Sequence, residues 1–555
     1  MTKQTYKTKQ PPGADANLKL QPNSQKAYRE TVESIVVAII LAFLFRAFVA
    51  EAFVIPTGSM APTLQGNHKD VTCSQCGHDY RAGASIENDG PLIVKATTCP
   101  ICRYVMEIDE SRDANQATFT GDRILVSKFA YDLREPKRWD VFVFKFPGNA
   151  KQNYIKRLVG LPNEIVRIRH GDIFLKDDAL DEFRIARKPP AKLTAMLQLV
   201  DDSAYVPQAL IDAGWPQRWH GTDGWGTNDS GRTYQIDGNT QRDAWLHYRH
   251  FVPTENDWAN ALEGRSIVLD GYQGQLITDY YAYNDFLTQQ DRYRSRLRYT
   301  AENWVGDLAV QAEIEVQSAT GSLLLVLVEG GLHYQCSIDV ATGLATLSID
   351  DGQGVFTAAD GATTETVTGK TSVMGKGRHT VQFSNVDDEL LLWVDGSVVT
   401  FTGPKTYVPV ANVKPQWSPQ DPGDLSPARI GSRQLAVNVE RLQLLRDIYY
   451  VATTSDSNEI PGRYDVDAIF QSPETWDRTG LFADRASIEF TLTDDQFLPL
   501  GDNSPQSKDA RLWFPAPPYV KRELLTGKAL FIYWPHSWNR PVPFTPNIKR
   551  MGFIR

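Results

Sequence analysis

Val54-Ile-Pro-Thr-Gly-Ser-Met-Ala-Pro-Thr-Leu64 is the stretch on which the reading of this chain turns. Pro56, Gly58 and Pro62 keep the backbone here out of helix. The stretch directly follows an apolar segment, so Ser59 stands in a turn at that segment's exit. A serine so placed is either a nucleophile in need of a base or one more hydroxyl in a Ser/Thr/Gly/Pro loop. The rest of the sequence has to decide between them.

Upstream, Lys3, Lys7, Lys9, Lys19, Lys26 and Arg29 face only Asp15 and Glu30, and residues 1–31 read as a disordered basic tail. Residues 35–55 are apolar apart from Arg46 and Glu51, which predicts a membrane anchor over 32–54 with the basic tail on the cytoplasmic side. Ala50-Glu-Ala52 also fits the cleavage site of a removable signal peptide, so that alternative stays open.

Downstream come Cys73-Ser-Gln-Cys76 and Cys99-Pro-Ile-Cys102, two C-x-x-C pairs separated by 22 residues. Two such knuckles can close around one tetrahedral zinc, and four thiolates leave it no open position, so the ion expected at Cys73, Cys76, Cys99 and Cys102 is structural. Two local disulfides are the competing reading in an oxidising compartment.

From Phe119 onward, short β-rich runs suggest an antiparallel sheet. In Asn153-Tyr-Ile-Lys-Arg-Leu-Val159, alternation puts Tyr154, Lys156 and Leu158 on one face and Ile155, Arg157 and Val159 on the other. A buried Lys156 would have its pKa lowered and could serve a serine as general base; on an edge strand it would be a solvated gatekeeper. Near the far end, Leu500-Gly-Asp-Asn-Ser-Pro-Gln-Ser-Lys-Asp-Ala-Arg511 is a dense polar loop between apolar flanks.

A net charge of −9 over 555 residues, with no clustered basic face, argues against a nucleic-acid partner. Five cysteines in that length do not make a disulfide scaffold.

Pro56-Thr-Gly-Ser-Met60, Gly121-Asp-Arg-Ile-Leu-Val126, Tyr154-Ile-Lys-Arg-Leu-Val-Gly-Leu-Pro162 and Gly501-Asp-Asn503 with Ser507, Asp509 and Arg511 resemble, in order, the boxes of the type I signal peptidases. These are membrane-anchored serine/lysine enzymes that remove signal peptides from exported preproteins. The resemblance covers less than half of the chain. It implies Ser59 as nucleophile, Lys156 as general base, Ser507 as the hydroxyl that orients the lysine, Thr57 as an oxyanion donor, and Asp502, Asp509 and Arg511 as supporting polar residues. It further implies a chain that crosses the inner membrane once, with its N-terminus cytoplasmic and its catalytic site outside, preproteins and the lipid bilayer as partners, and no catalytic cofactor. Ala510 departs from the family pattern, where a small polar residue is common.

The chain is expected to be mainly β. Its parts are the anchor, an antiparallel catalytic core in three pieces (55–68, 118–182 and 453–545), a zinc-ribbon-like insertion (69–117), an aromatic and polar insertion (183–300) and a β-sandwich insertion (301–452). The sandwich rests on alternating runs such as Ala309-Val-Gln-Ala-Glu-Ile-Glu-Val316 and resembles concanavalin A/laminin-G domains, chiefly through Gly377-Arg-His-Thr-Val-Gln-Phe383 and Leu392-Trp-Val-Asp-Gly396. That resemblance implies a glycan or envelope-protein partner, or a spacer. Cys336 reads as a buried thiol. The alternative to a peptidase is an exported, zinc-stabilised binding or adhesion protein with a non-catalytic core.

Overall fold

The apolar run after Ser34 does not continue as helix to Ile55. In the computed structural model, α1 spans Ser24–Leu44 and an extended strand, β1, occupies Ala50–Val54. The structure describes residues 24–44, 50–88, 90–177, 182–228, 230–291, 302–409, 413–538, 542 and 544–555.

The helix expected over 32–54 is therefore corrected at its end, where Ala50–Val54 is strand. Among the described residues, no helix is long and apolar enough to cross a membrane. The first half of α1 is polar, with Arg29 bonded to Glu33 at 2.7 Å and the Ser34 hydroxyl donating to the Glu30 carbonyl at 2.8 Å. Residues 35–44 form its apolar half. Residues 45–49 lie outside the described residues. Beyond them the β-branched and aromatic residues turn extended, and Phe53 and Ile55 join an apolar cluster with Met60, Leu64, Ile124 and Val126.

That cluster lies against one sheet that holds the Ser59 turn. Its strands are β1, β2 (Arg123–Ser127), β3 (Val141–Phe146), β4 (Asn149–Gly160), β5 (Gln496–Leu500), β6 (Val520–Lys521) and β7 (Leu525–Trp534). In space their order is β1-β2-β7-β3-β4-β5-β6, with the short strand Gly552–Phe553 also pairing with β7. β4 is interior: Lys156 pairs with Phe142 of β3, and Arg157 with both Val141 of β3 and Leu500 of β5. A second apolar cluster, including Phe142, Phe144, Leu158, Leu498 and Trp513, buries the sheet further along. The edge-strand reading of Lys156 is thereby excluded.

Two further antiparallel sheets enclose the largest core. One orders Val437–Arg446, Leu308–Val316, Gly377–Val386 and Glu389–Val394 side by side; the other orders Ala428–Arg433, Ser322–Glu329, Leu332–Asp339 and Leu344–Ile349. Alternate residues such as Val310, Ala312, Ile314, Leu325, Phe383 and Leu392 meet between them, together with Cys336, which is 1% exposed.

The sandwich draws on more chain than residues 301–452. Thr233–Ile236 and Gln198–Asp202 pair with Val437–Arg446, and Ala244–Tyr248 pairs with Ala428–Arg433. Tyr234, Leu246 and Tyr248 share its core. Other aromatic residues from the same stretch, Trp215, Phe251 and Trp258, instead pack with Cys73, Cys99 and Cys102.

Candidate active site

Three distant segments build the site around Ser59. Gly58–Met60 forms a single 3-10 turn, with the Ala61 N–H donating to the Gly58 carbonyl at 3.0 Å. Met60 and Leu64, both fully buried, pin this turn into the core beneath the sheet. Gly66 and Gly121 are forced by close approach: a Cβ at Gly66 would lie 2.2 Å from the Thr57 carbonyl carbon, and one at Gly121 would lie 1.9 Å from the Ile55 oxygen.

The alternation of β4 carries Lys156 to the turn. Its Nζ lies 2.6 Å from Ser59 Oγ, and the residue is 4% exposed. Burial pulls the Lys156 pKa down to about 8; the negative charges of Asp509 and Asp502 hold it from falling further, while Arg511 pushes it down. Arg157, on the opposite face, forks onto Asp502 with two bonds of 2.6 Å and also reaches the Thr63 hydroxyl at 3.1 Å. The Thr63 hydroxyl donates to Asp502 at 2.5 Å. One buried ion pair thus ties the turn, the lysine strand and the polar loop together.

In that loop, Asp509 takes the Gly501 N–H at 2.9 Å and pairs with Arg511 at 2.7 Å, both side chains being buried. Arg511 also donates to the Val451 carbonyl at 2.6 Å and the Ser504 carbonyl at 2.8 Å. Asn503, in the quoted motif but unassigned by sequence, holds the turn directly. Its backbone N–H donates to the Ser59 carbonyl at 3.1 Å and its side chain to the Gly58 carbonyl at 3.0 Å.

Two expected groups behave differently. The Ser507 hydroxyl is buried without a hydrogen-bond partner among the described residues, so it does not hydrogen-bond Lys156. It packs instead against Gly501, where a Cβ would come within 2.1 Å of Ser507 Oγ and 2.5 Å of the Ser59 carbonyl oxygen. Thr57 is extended (φ −120°, ψ 153°), exposed, and makes no capping bond, which leaves its hydroxyl in the cleft.

That cleft, of about 580 Å³, is lined by Thr57, Ser59 and Lys156 and by Tyr283 and Asn284 from the long insertion. Tyr283 covers Gly58 so closely that a Cβ there would meet the ring at 2.3 Å. Asn284 exchanges amide bonds with Asn503 at 2.7 and 2.8 Å. Sequence reasoning missed both residues; the Tyr280-Tyr-Ala-Tyr-Asn284 cluster was the only signal.

The four paired cysteines converge, with all four Sγ atoms within 4.8 Å of one another. Cys73 and Cys102 Sγ are 3.5 Å apart, and Cys76 and Cys99 Sγ 3.6 Å. These spacings exceed the ~2.05 Å of a disulfide. They approach the ~3.8 Å edge of a tetrahedron with ~2.3 Å zinc–sulfur bonds, so the donor set fits zinc.

A family model described as signal peptidase, peptidase S26, matches residues 28–75 and 103–211, which include Ser59 and Lys156 but not the Gly501–Arg511 loop. A probable signal peptidase I-2 of Synechocystis is 27% identical over 197 residues, covering 35% of this chain and 65% of the relative. Signal peptidase I of Pseudomonas aeruginosa is 25% identical over 180 residues, covering 30% of this chain and 44% of the relative. The chain thus spans less than two thirds of the curated relatives it matches. Among solved structures, a carbohydrate-binding module from Bacillus subtilis matches with TM-score 0.19 and 10% identity over 42% of this chain and 93% of that one, too slight a likeness to carry an argument. In sequence, the chain is similar to signal peptidase I enzymes, and the similarity falls on the two segments that bring Ser59 and Lys156 together.

Proposed function

We propose that the chain is a serine endopeptidase that removes N-terminal signal peptides from exported preproteins, with Ser59 as nucleophile and Lys156 as general base. The observation that carries this reading is the 2.6 Å approach of Lys156 Nζ to Ser59 Oγ in a cleft open to a peptide. The same contact weighs against a binding protein with a non-catalytic core.

In this reading the neutral Lys156 amine takes the Ser59 hydroxyl proton as Oγ attacks the scissile carbonyl. The Ser59 backbone N–H and the Thr57 hydroxyl face the developing oxyanion. When the C–N bond breaks, Lys156 returns the proton to the leaving amine. An ester to Ser59 remains; water gives a proton to Lys156 and attacks the ester, Ser59 recovers its hydrogen from Lys156, and the new carboxylic acid leaves and gives its proton to solvent. Asp502, Asp509 and Arg511 hold these groups in place and take no proton. No cofactor enters these steps. Ser507, lacking a bond to the lysine, takes no part in these steps.

The membrane remains the proposed location. Ile35, Val37, Ile39 and Ile40 of α1 are each about half exposed, a surface suited to lipid. We read the four-cysteine centre as structural zinc, and the sandwich as the scaffold from which Tyr283 and Asn284 reach the cleft. Incubation with a labelled preprotein, followed by sequencing of the new N-terminus, tests the reading. A single cut at the junction of signal and mature protein is expected; cuts elsewhere, or none, would overturn it.

A further inference from the structure

Outside the Ser59 cleft, the buried His68 and His536 meet the partly buried Asp70. His68 and Asp70 open the strand His68–Thr72, just after the Ser59 turn, and His536 follows β7 near the far end. His68 is fully buried, and its Nδ1 lies 2.7 Å from the Gly66 carbonyl. A carbonyl can only accept, so Nδ1 carries the hydrogen and Nε2 presents a lone pair. That Nε2 has no hydrogen-bond partner, and it faces Asp70 Oδ1 at 3.6 Å. A lone pair aimed at a carboxylate oxygen in a buried site calls for a positive charge between them.

The surrounding bonds are those of a prepared ligand set. Asp70 Oδ2 accepts from Trp538 Nε1 at 2.7 Å and lies 2.8 Å from His536 Nε2; Asp70 Oδ1 accepts from Arg81 Nε at 3.0 Å. Metal-binding imidazoles characteristically donate their other N–H to a carbonyl or carboxylate, and metal-binding carboxylates are themselves hydrogen-bonded. His68 and Asp70 meet these conditions. His536 is buried, its Nδ1 has no partner, and its ring centroid lies 4.9 Å from that of His68. As the structure stands, His536 Nε2–H donates to Asp70, and an ion would take that place with the hydrogen moved to Nδ1; one donor atom from each of the three residues falls within 4.8 Å of the others. Arg81 is an adverse charge beside the cluster.

We infer that His68, Asp70 and His536 bind a divalent transition cation of the zinc class, separate from the four-cysteine centre. Two imidazole nitrogens and one carboxylate suit such an ion, and three protein ligands leave a position for water. Asp70 and Trp538 line a cavity of about 570 Å³ from which that water can come. The ion would clamp the C-terminal segment onto the strand that leaves the Ser59 turn, where Gly66 packs against Thr57.

The test uses the full chain, stripped with a chelator and titrated with Co²⁺, then reloaded with Zn²⁺ for metal counting. Two equivalents per chain are expected, one producing thiolate charge-transfer absorption and one binding without it. His68→Gln and His536→Gln should each lose the second equivalent and keep the thiolate band. A wild type that binds only the thiolate-linked ion, or variants that retain both ions, would make this a hydrogen-bonded His–Asp–His cluster only and overturn the inference. The wild-type titration decides even where a variant fails to fold. If the cysteines hold no metal, one equivalent without thiolate absorption remains the expected result.

Discussion

Asn284 and Asn503 exchange side-chain amide bonds in both directions, at 2.7 and 2.8 Å, although 219 residues separate them. Asn503 also holds the carbonyls on both sides of the Ser59 N–H. A buried amide pair therefore joins the long insertion to the Ser59 turn, beside the Tyr283 ring that covers Gly58. Asn284→Ala leaves Asn503 short of a partner, which costs about 1–3 kcal/mol. Catalytic efficiency should fall about tenfold and thermal stability should drop with it. Steady-state kinetics and thermal unfolding check this, and no change in either would contradict it.

Activity should follow the ionisation of Lys156. Its pKa of about 8 in the fold means that the amine is mostly charged, and unable to act as base, at pH 6 to 7. The value of kcat/KM should rise about tenfold per pH unit below this point and level off above it. A profile that is flat from pH 6 to 9 would exclude the lysine as the titrating base.

The same group carries a stability cost. Lys156 titrates near 10.5 in the unfolded chain and about 8 in the fold, so the unfolded chain binds more protons between those values and stability rises with pH across that window. Below it, the charged amine bears the full desolvation cost. Lys156→Met should therefore stabilise the fold at neutral pH, by on the order of 1–3 kcal/mol at ~1.4 kcal/mol per pKa unit, while activity is lost. Denaturant unfolding at pH 7 and pH 10 measures both the gain and its shrinkage at high pH.

Asp502→Ala should destabilise by about 3–5 kcal/mol, because it strands the fully buried Arg157 guanidinium. Asp502→Asn, which keeps the shape and an acceptor for Arg157 or Thr63, should cost less. Urea midpoints for the two variants give the order.

The cysteine segment is built of four strands of three to five residues that pair two by two, and it packs on Trp215 and Trp258, so its order depends on the centre between the knuckles. Cys99→Ser, or metal removal, should loosen this segment and expose those tryptophans, seen as a red shift of their fluorescence. Four unreactive thiols in a metal-free chain, explained by disulfides, would contradict the zinc reading.

Much of the candidate site was legible in the sequence. Proline and glycine marked the turn at Ser59, although Gly58–Met60 forms one 3-10 turn where they suggested extended backbone, and period-two alternation fixed which faces of the strand carry Lys156 and Arg157. Alternation likewise marked Leu308–Val316 and Gly377–Val386 as strands. What stayed hidden was non-local. Gln198–Asp202 and Thr233–Ile236 are short and rich in polar residues, so nothing in their pattern reveals that they complete a sheet with Val437–Arg446. The continuous apolar composition across residues 35–55 concealed a change from helix to strand. Ser507 occupied the expected position in its motif, yet its hydroxyl turned out to pack on Gly501 rather than to bond the lysine. No local signal could join Asn284 to Asn503, or His68 to His536, because only the assembled fold brings them together.

The most direct test of the central claim is the cleavage rate of a labelled preprotein by the wild type, Ser59→Ala and Lys156→Ala at pH 8.5. Both variants are expected to lose at least about a thousandfold in turnover, with Thr57→Val losing about 100- to 1000-fold at most, the typical cost of one oxyanion donor. Wild-type cleavage by a correctly folded Lys156→Ala would contradict the account.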